Sequence, residues 1–283
     1  MAKTEQDVPV SDEALAKIPQ TSTEVGAADE MSDAFEQDSG DGMQGMGAND
    51  FAIPFISILQ KGSPQVDDLS PKFIEGARAG MFMNTVTGVL YSADIGILVV
   101  PCAYKKMMVE WKHRDSGGGL IAQHPENTPL IKTCTQNEKS QFVLPNGHLL
   151  IDTAYHYVLQ IIDGFPTWAV ISMTSTQLKK SRMWNTVMRN ILVDGKNGKY
   201  NPPTYSHAYR ITAVGETKDK YSWYGYKIEL DQDFGNKGRM TGKEMPIYDL
   251  AKKFAEAANR GAVRMSQPPA GGEESADGDS IPF

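Results

Sequence analysis

The sequence predicts a mainly β domain of the α+β class, set between two acidic, disordered segments. Strand-length apolar runs dominate residues 51–265, only two segments have helical spacing, and both ends are acidic and poor in large apolar residues. With 283 residues, of which 40% are hydrophobic, the chain is long enough to bury a core. We therefore divide it into a disordered N-terminal segment (1–50), a folded domain (51–265) and a disordered C-terminal tail (266–283).

The first strands are predicted from apolar runs and from the turn residues between them. Residues 80–91 indicate a short hairpin that reverses at a Thr-Gly pair. Residues 95–111 indicate one long strand, bent near its proline, because apolar residues occupy both of its faces. We expect one face to carry Ile97, Val99, Pro101 and Ala103, and the other to carry Leu98, Val100 and Cys102.

Two further hairpins follow in the second half of the folded domain. Strands at 155–162 and 168–173 flank the Asp-Gly pair at 163–164, which is favoured in tight hairpin turns. A Phe-Pro pair follows this turn, so the second strand is expected to start late. Strands at 205–214 and 221–230 are expected to pair around a charged turn.

Two segments have the apolar spacing of amphipathic helices. The first begins near Trp184 and has apolar residues at i, i+3, i+4, i+7 and i+8. These residues are Trp184, Val187, Met188, Ile191 and Leu192. The second runs from about Pro246 to Arg260, with proline suited to its first turn and Gly261 to its end. Short strands with few helices fit an OB-fold-like β-barrel with helical insertions, a fold that binds oligonucleotides on a strand face.

The net charge of −7 hides a division between the body and the two ends. Residues 1–50 carry two Lys against twelve acidic residues, and residues 266–283 carry four acidic residues without Lys or Arg. Residues 51–265 keep 26 Lys and Arg against 19 Asp and Glu, which gives the body a net charge of +7. A basic body between acidic ends is typical of a polyanion binder, although acidic tails also keep proteins soluble.

Several classes of protein are not supported by the sequence. Two cysteines, Cys102 and Cys134, make no disulfide framework, and no apolar run approaches the roughly 20 residues of a membrane span. We expect a reducing, cytoplasmic location. With no phosphate-binding loop, nucleophile motif or metal-ligand spacing, we expect no enzyme activity, cofactor or metal. Asp231 and Asp233 have the spacing of metal-binding carboxylates, but they follow a strand, where a turn role is favoured.

Basic residues interleaved with aromatic residues are the main candidate for a binding surface. Aromatic faces stack on bases, and Lys and Arg meet phosphates, so together they favour sequence-tolerant binding of nucleic acid. The alternative is that the aromatic residues are core and the helical cations a solvated face. The candidates for DNA binding are Lys105, Lys106, Trp111, Lys112, Arg114, Lys179, Arg182, Arg189, Lys199, Tyr200, Arg210, Trp223 and Lys227.

The chain ends in acidic residues followed by Ile-Pro-Phe and a free carboxylate. Proline lowers the cost of ordering such a segment, and a terminal Phe can fill a pocket while its carboxylate meets a cation. The candidates for partner binding are Asp277, Asp279, Ile281, Pro282 and Phe283. This ending resembles the C-terminal tip of bacterial single-stranded DNA-binding proteins, and residues 51–91 resemble phage proteins usually described as single-stranded DNA-binding.

These resemblances imply a phage protein that works in the host bacterial cytoplasm. It would coat single-stranded DNA without sequence preference and recruit replication or recombination proteins through its tip. Assembly into a homo-oligomer is left open by the sequence. Three rival functions remain open at this point: a recombinase that anneals complementary strands, a nuclease that uses Asp231 and Asp233, and an interaction protein that imitates the host tip without binding DNA.

Overall fold

The computed structural model describes residues 51–113, 118–137, 141–218, 220–263, 265 and 266, with eight positions between 32 and 44. The chain divides into two units, residues 1–45 and residues 46–283. The first is described at those eight positions, of which 32, 35 and 37 are helical. The disorder predicted for 1–50 and 266–283 falls almost entirely outside the described residues.

The described residues of the second unit form thirteen strands. They are β1 (Ile56–Ile58), β2 (Phe82–Asn84), β3 (Leu90–Tyr91), β4 (Ile97–Trp111), β5 (Leu120–Pro125), β6 (Thr135–Gln136), β7 (Phe142–Val143), β8 (Leu149–Ile162), β9 (Phe165–Thr174), β10 (Val193–Gly195), β11 (Gly198–Tyr200), β12 (Tyr209–Lys218) and β13 (Tyr221–Leu230). Eight of them form one antiparallel sheet in the order β13-β12-β4-β8-β7-β6, with β5 beside β4 and β9 beside β8. Smaller sheets are formed by β1-β2-β3 and by β10-β11.

Two α-helices cover the large sheet, one on each face. They are α1 (Gln177–Asn190) and α2 (Met245–Asn259), and short 3₁₀ turns lie at Pro129–Thr133, Thr204–Ser206 and Gly242–Glu244. Phe254 of α2 packs with Tyr157 of β8 in one core, and Trp184 of α1 packs with Val158 in the other. Because neighbouring residues of a strand point to opposite faces, β8 supplies both cores.

The predicted mainly β class is confirmed, with a sheet curled like half a barrel. The finer prediction of an OB-fold barrel is not confirmed, because the strand path ends at β13 on one side and at β6 on the other. No helix in the described part of the chain is long and apolar enough to cross a membrane.

The Asp-Gly hairpin is confirmed, but its second strand does not start late. Asp163 and Gly164 both have positive φ, 49° and 88°, as a tight turn between twisted strands requires. β9 begins directly after the turn, with Phe165 opposite Ile162. Pro166 fits there because this part of β9 pairs only with β8, so its missing N–H falls on the unpaired side.

The other predicted elements are confirmed with shifted ends. The helix expected from Pro246 to Arg260 is α2, which ends before Gly261, a residue with φ of 74°. Helix α1 begins seven residues before Trp184, and its buried face is Gln177, Ser181, Trp184 and Met188. The predicted apolar stripe is therefore partly wrong, since Val187 and Leu192 are half exposed or more. The polar residues Gln177 and Ser181 are buried in their place, because the side chains of both form hydrogen bonds inside the protein.

Strand β4 contains a bulge that reverses its alternation. Pro101 lies opposite Val158 and Ala103 lies opposite Tyr157, so β4 contains one extra residue at this point relative to β8. Val100 and Cys102 share a face, as expected, and that face packs against α2, but Ala103 lies with them instead of with Ile97 and Val99. The predicted position of Ala103 is therefore wrong. Beyond the bulge the alternation of side chains is reversed, so Tyr104 lies on the α1 side of the sheet.

Candidate nucleic-acid interface

A groove opens where β4 changes its strand partner. β12 pairs with β4 only at residues 97–99, and β5 pairs with it only from Met107 onward. Pro101 has no N–H to continue the first pairing, so residues 100–106 have no partner on this side among the described strands. The hydroxyl of Thr204 reaches across to the Cys102 carbonyl at 3.4 Å. The remaining gap is a groove of about 290 Å³.

Tyr104 supplies an aromatic ring to this groove. Its side chain lies in the groove lining, and the residue is 40% exposed. Beneath it lies His156, which is directly opposite on β8 and is only 1% exposed. Their ring centroids are 5.1 Å apart. An aromatic ring supported from below and open above is the form of platform on which bases stack.

Helix α1 supplies a polar and cationic rim to the same groove. Asn185 and Arg189 line it, and Arg182 lies two turns before Arg189 on the same side of the helix. Arg182, Arg189 and Lys179 are exposed, and within the described residues none of the three forms an ion pair. Their charges are therefore available to an anion from solution.

The β10–β11 hairpin stands at the end of this rim. Lys199 and Tyr200 are exposed, and the Tyr200 ring packs over Gly195, where a Cβ would come within 2.9 Å of it. Asn201 follows directly and lines the groove. Its side-chain amide donates to the carbonyls of Met188 and Ile191 at 3.2 and 2.8 Å, which fixes the hairpin to the last turn of α1.

Several predicted residues on β4 lie away from the groove or are already paired. Lys105 points to the α2 side, with its Nζ 5.9 Å from the Tyr157 ring centroid. Lys106 is on the Tyr104 side, but its Nζ lies 2.8 Å from Glu126 and 3.1 Å from Asp152. These contacts raise the pKa of Lys106, chiefly through the hydrogen bond to Glu126.

The end of β4 holds the next three predicted residues. Trp111 is 8% exposed and belongs to the α2-side core, which leaves no open ring face for a base. Lys112 is exposed, beyond the β4–β5 pairing. Arg114 lies outside the described residues. Trp111 therefore does not belong to the groove.

The predicted residues on β12 and β13 are engaged with acidic side chains. Arg210 contacts the buried Asp231 through Nη2 at 2.9 Å and Nε at 3.0 Å. Trp223 donates from Nε1 to Glu216 at 2.8 Å. Lys227 is exposed and pairs with Glu229 at 2.8 Å. Arg210 lies on the face of β12 opposite to its neighbour Tyr209, which packs on the α1 side, and β12 separates β13 from β4. These residues therefore form no single surface with Tyr104.

Asp231 and Asp233 have the turn role that their position favours. Oδ1 of Asp231 accepts the backbone N–H groups of Asp233 and Phe234, at 3.0 and 2.7 Å. Its other oxygen holds Arg210. Among the described residues, no group of three or more His, Cys, Asp or Glu is arranged to hold a metal ion.

Sequence reasoning missed three groove residues, Tyr104, Asn185 and Asn201. The signal for Tyr104 was the bend expected at Pro101, because a bulge there moves every later side chain to the other face. The two asparagines carry no comparable signal. The predicted partner-binding residues at the tip (Asp277, Asp279, Ile281, Pro282 and Phe283) lie outside the described residues.

The fold and the groove define a mainly β protein with a basic, partly aromatic cleft. A family model described as Pam3 phage gp34-like protein matches residues 21–264. Since the match covers most of the chain, the protein belongs to this family. The phage part of the resemblance is thereby confirmed. No curated protein and no solved structure matches the chain.

Proposed function

We propose that this phage protein binds single-stranded DNA without sequence preference, and that the Tyr104 groove is its principal contact. One observation carries the proposal: an exposed, supported tyrosine lies in a groove whose rim bears arginines that form no ion pair with any described residue. A base stacked on Tyr104 contributes about 1–3 kcal/mol and needs no particular sequence. Arg182, Arg189 and Lys179 meet the phosphates on the α1 side of the same strand.

The wider charge distribution supports the same function. Residues 51–265 carry +7, so the body attracts a polyanion although the whole chain is acidic. Lys199 and Tyr200 extend the groove by a further cation and a further ring, which is 49% exposed. The DNA path therefore follows Tyr104, the α1 rim and the β10–β11 hairpin. An OB-fold barrel and a homo-oligomer are not needed for this path and stay predictions.

Binding of fluorescent oligo-dT at two salt concentrations tests the proposal. The double variant Arg182→Ala/Arg189→Ala removes two phosphate contacts, so the slope of log K against log salt should fall by about 1.4. Lys252→Ala/Lys253→Ala removes the same charge from exposed positions on α2, across the sheet, and is the matched control. Its affinity should stay within about twofold of the wild type. Equal losses in both variants, or binding that ignores salt, would contradict the groove.

The C-terminal tip has a separate role in this proposal. Ile281, Pro282 and Phe283 recruit replication or recombination proteins in the host cytoplasm, while the groove holds the DNA. Deleting these three residues should leave oligo-dT binding unchanged and abolish capture of host replication proteins. Loss of both activities together would argue against two separate modules. Faster annealing of complementary oligonucleotides by the full chain would assign strand annealing as well.

A further inference from the structure

Four rings form a continuous column from the groove into the core. Tyr104 stands outermost, and His156 contacts its inner side with ring centroids 5.1 Å apart and ring planes tilted by 59°. His156 is stacked on Trp184 at 4.5 Å and 25°, and Trp184 meets Tyr209 edge-on at 5.6 Å. His156, Trp184 and Tyr209 are each 2% exposed or less, so only Tyr104 reaches solvent. The column belongs to three elements of the sheet and to α1.

His156 is fixed within this column by a hydrogen bond as well as by stacking. Its Nε2 lies 2.8 Å from Oγ of Ser181, a buried residue of α1. Burial lowers the pKa of His156 to about 3, so the imidazole is neutral near pH 7. A neutral ring packs between two aromatic rings without the cost of burying a charge.

We propose that His156 is a positioning residue that holds Tyr104 as a platform for one unpaired base. The inference rests on the proposed function and deepens it. Two physical consequences follow from the geometry. The imidazole supports the tyrosine ring from below, which reduces the entropy that the ring loses when a base stacks on it. The bond to Ser181 fixes the orientation of the imidazole, so the ring that contacts Tyr104 does not rotate away from it.

A positioning role for base stacking has a signature that general stability lacks. Oligo-dT offers bases and phosphates, whereas an abasic oligonucleotide of the same length offers only the phosphate backbone. Loss of the platform should weaken oligo-dT binding and leave abasic binding unchanged. Loss of the fold would weaken both equally.

The test compares both ligands for the full-length wild type and for four variants. Tyr104→Ala should weaken oligo-dT binding by about 5- to 150-fold, the range for losing one stacked base. Ser181→Ala keeps all four rings, removes only the hydrogen bond, and should weaken it by about two- to tenfold. His156→Leu removes the supporting ring and should approach Tyr104→Ala, while His156→Phe, which restores a ring without the hydrogen bond, should recover affinity to about the level of Ser181→Ala. All four should bind the abasic oligonucleotide within about twofold of the wild type.

The outcomes separate this inference from the proposed function. A wild type that binds both ligands equally well uses no stacking, which overturns the inference and leaves single-stranded DNA binding intact. A wild type that binds neither overturns both. If the His156 variants lose both ligands in parallel while Tyr104→Ala loses only oligo-dT, His156 is structural and the inference fails. If His156→Leu does not fold, Ser181→Ala decides, because unchanged oligo-dT binding by that variant also overturns the inference.

Discussion

The side-chain Oε1 of Gln177 accepts a 3.0 Å hydrogen bond from the backbone N–H of Tyr226. Gln177 is 1% exposed at the start of α1, and Tyr226 lies on β13, the last strand of the sheet path. The side chain of Gln60 bonds in the same way to Tyr224, which lies two residues before Tyr226 on β13. It accepts from the Tyr224 N–H at 2.8 Å and donates to the Tyr224 carbonyl at 2.9 Å. The side chains of these two glutamines thus form hydrogen bonds with β13 that the backbone of another strand could otherwise form.

Replacing either glutamine should destabilise the fold. Gln60→Ala or Gln177→Ala leaves backbone groups of β13 without a partner, which costs about 1–3 kcal/mol each. Urea unfolding measures this loss, and sedimentation measures whether the opened edge promotes self-association. Gln232→Ala is the control, because Gln232 is exposed and should change stability by less than about 0.5 kcal/mol. Unchanged stability in Gln60→Ala and Gln177→Ala would show that water replaces both bonds.

Local signals predicted much of the fold. The Asp-Gly pair predicted the β8–β9 turn because few other pairs adopt two successive positive φ angles. Proline at the start and Gly261 beyond the end predicted α2. The polar face of α1 was beyond such reasoning, since Gln177 and Ser181 are buried only because Tyr226 and His156 offer hydrogen bonds. Those partners are 49 and 25 residues away along the chain.

The candidate site was harder to predict than the fold. The sequence shows which residues are cations, but whether each cation is available to a ligand depends on neighbours such as Asp231, which holds Arg210. The exposure of the aromatic residues was still harder to predict, because a single bulge determines on which face of the sheet each ring lies. Trp111 and Tyr104 lie on the same strand, yet one is in the core and the other lines the groove. Strand alternation alone gives no information on which face a helix will cover.

Glu110 joins three segments at the far end of β4. Its Oε2 lies 2.8 Å from Nε2 of His124 on β5, and its Oε1 lies 2.6 Å from Nδ1 of His148, just before β8. Burial opposes the charge of Glu110, but hydrogen bonds from His148, His124 and Asn146 outweigh it and lower its pKa overall. The contribution to stability is therefore present above the unfolded pKa of about 4.3 and is lost as pH falls through the folded value.

Glu110→Gln should accordingly lower stability at pH 7 by about 1–3 kcal/mol, since charge-assisted hydrogen bonds are lost. The difference from the wild type should begin to shrink below about pH 4.3, where the carboxyl of the unfolded chain takes up a proton, and should vanish as pH falls through the lower folded pKa. Urea unfolding at pH 7 and at acid pH measures both values. Glu126→Gln is the control, because that side chain is 57% exposed and should cost little. A difference that stays constant with pH would contradict a role for the Glu110 charge.

His156 should make the fold sensitive to acid in a different range. Its pKa is lowered to about 3 by burial, against about 6.5 in an unfolded chain. The unfolded state therefore binds the proton first, and stability falls as pH drops below about 6.5, by up to about 1.4 kcal/mol per pH unit. His156→Phe should lack this dependence, so unfolding curves of the two proteins should diverge between pH 6.5 and 4.5. Parallel pH dependence would show that His156 is protonated in the fold.

Replacing Asp231 should destabilise the fold much more than replacing Asp233. Neither replacement should change nuclease activity. Asp231 is 5% exposed, accepts two backbone N–H groups and holds Arg210, so Asp231→Ala should cost about 2–3 kcal/mol. Asp233→Ala removes an exposed carboxylate and should cost less than about 0.5 kcal/mol. Labelled single strands incubated with Mg²⁺ or Mn²⁺ provide the second readout. Cleavage by the wild type that Asp233→Ala abolishes would replace the turn role with a catalytic one, because that variant keeps the fold.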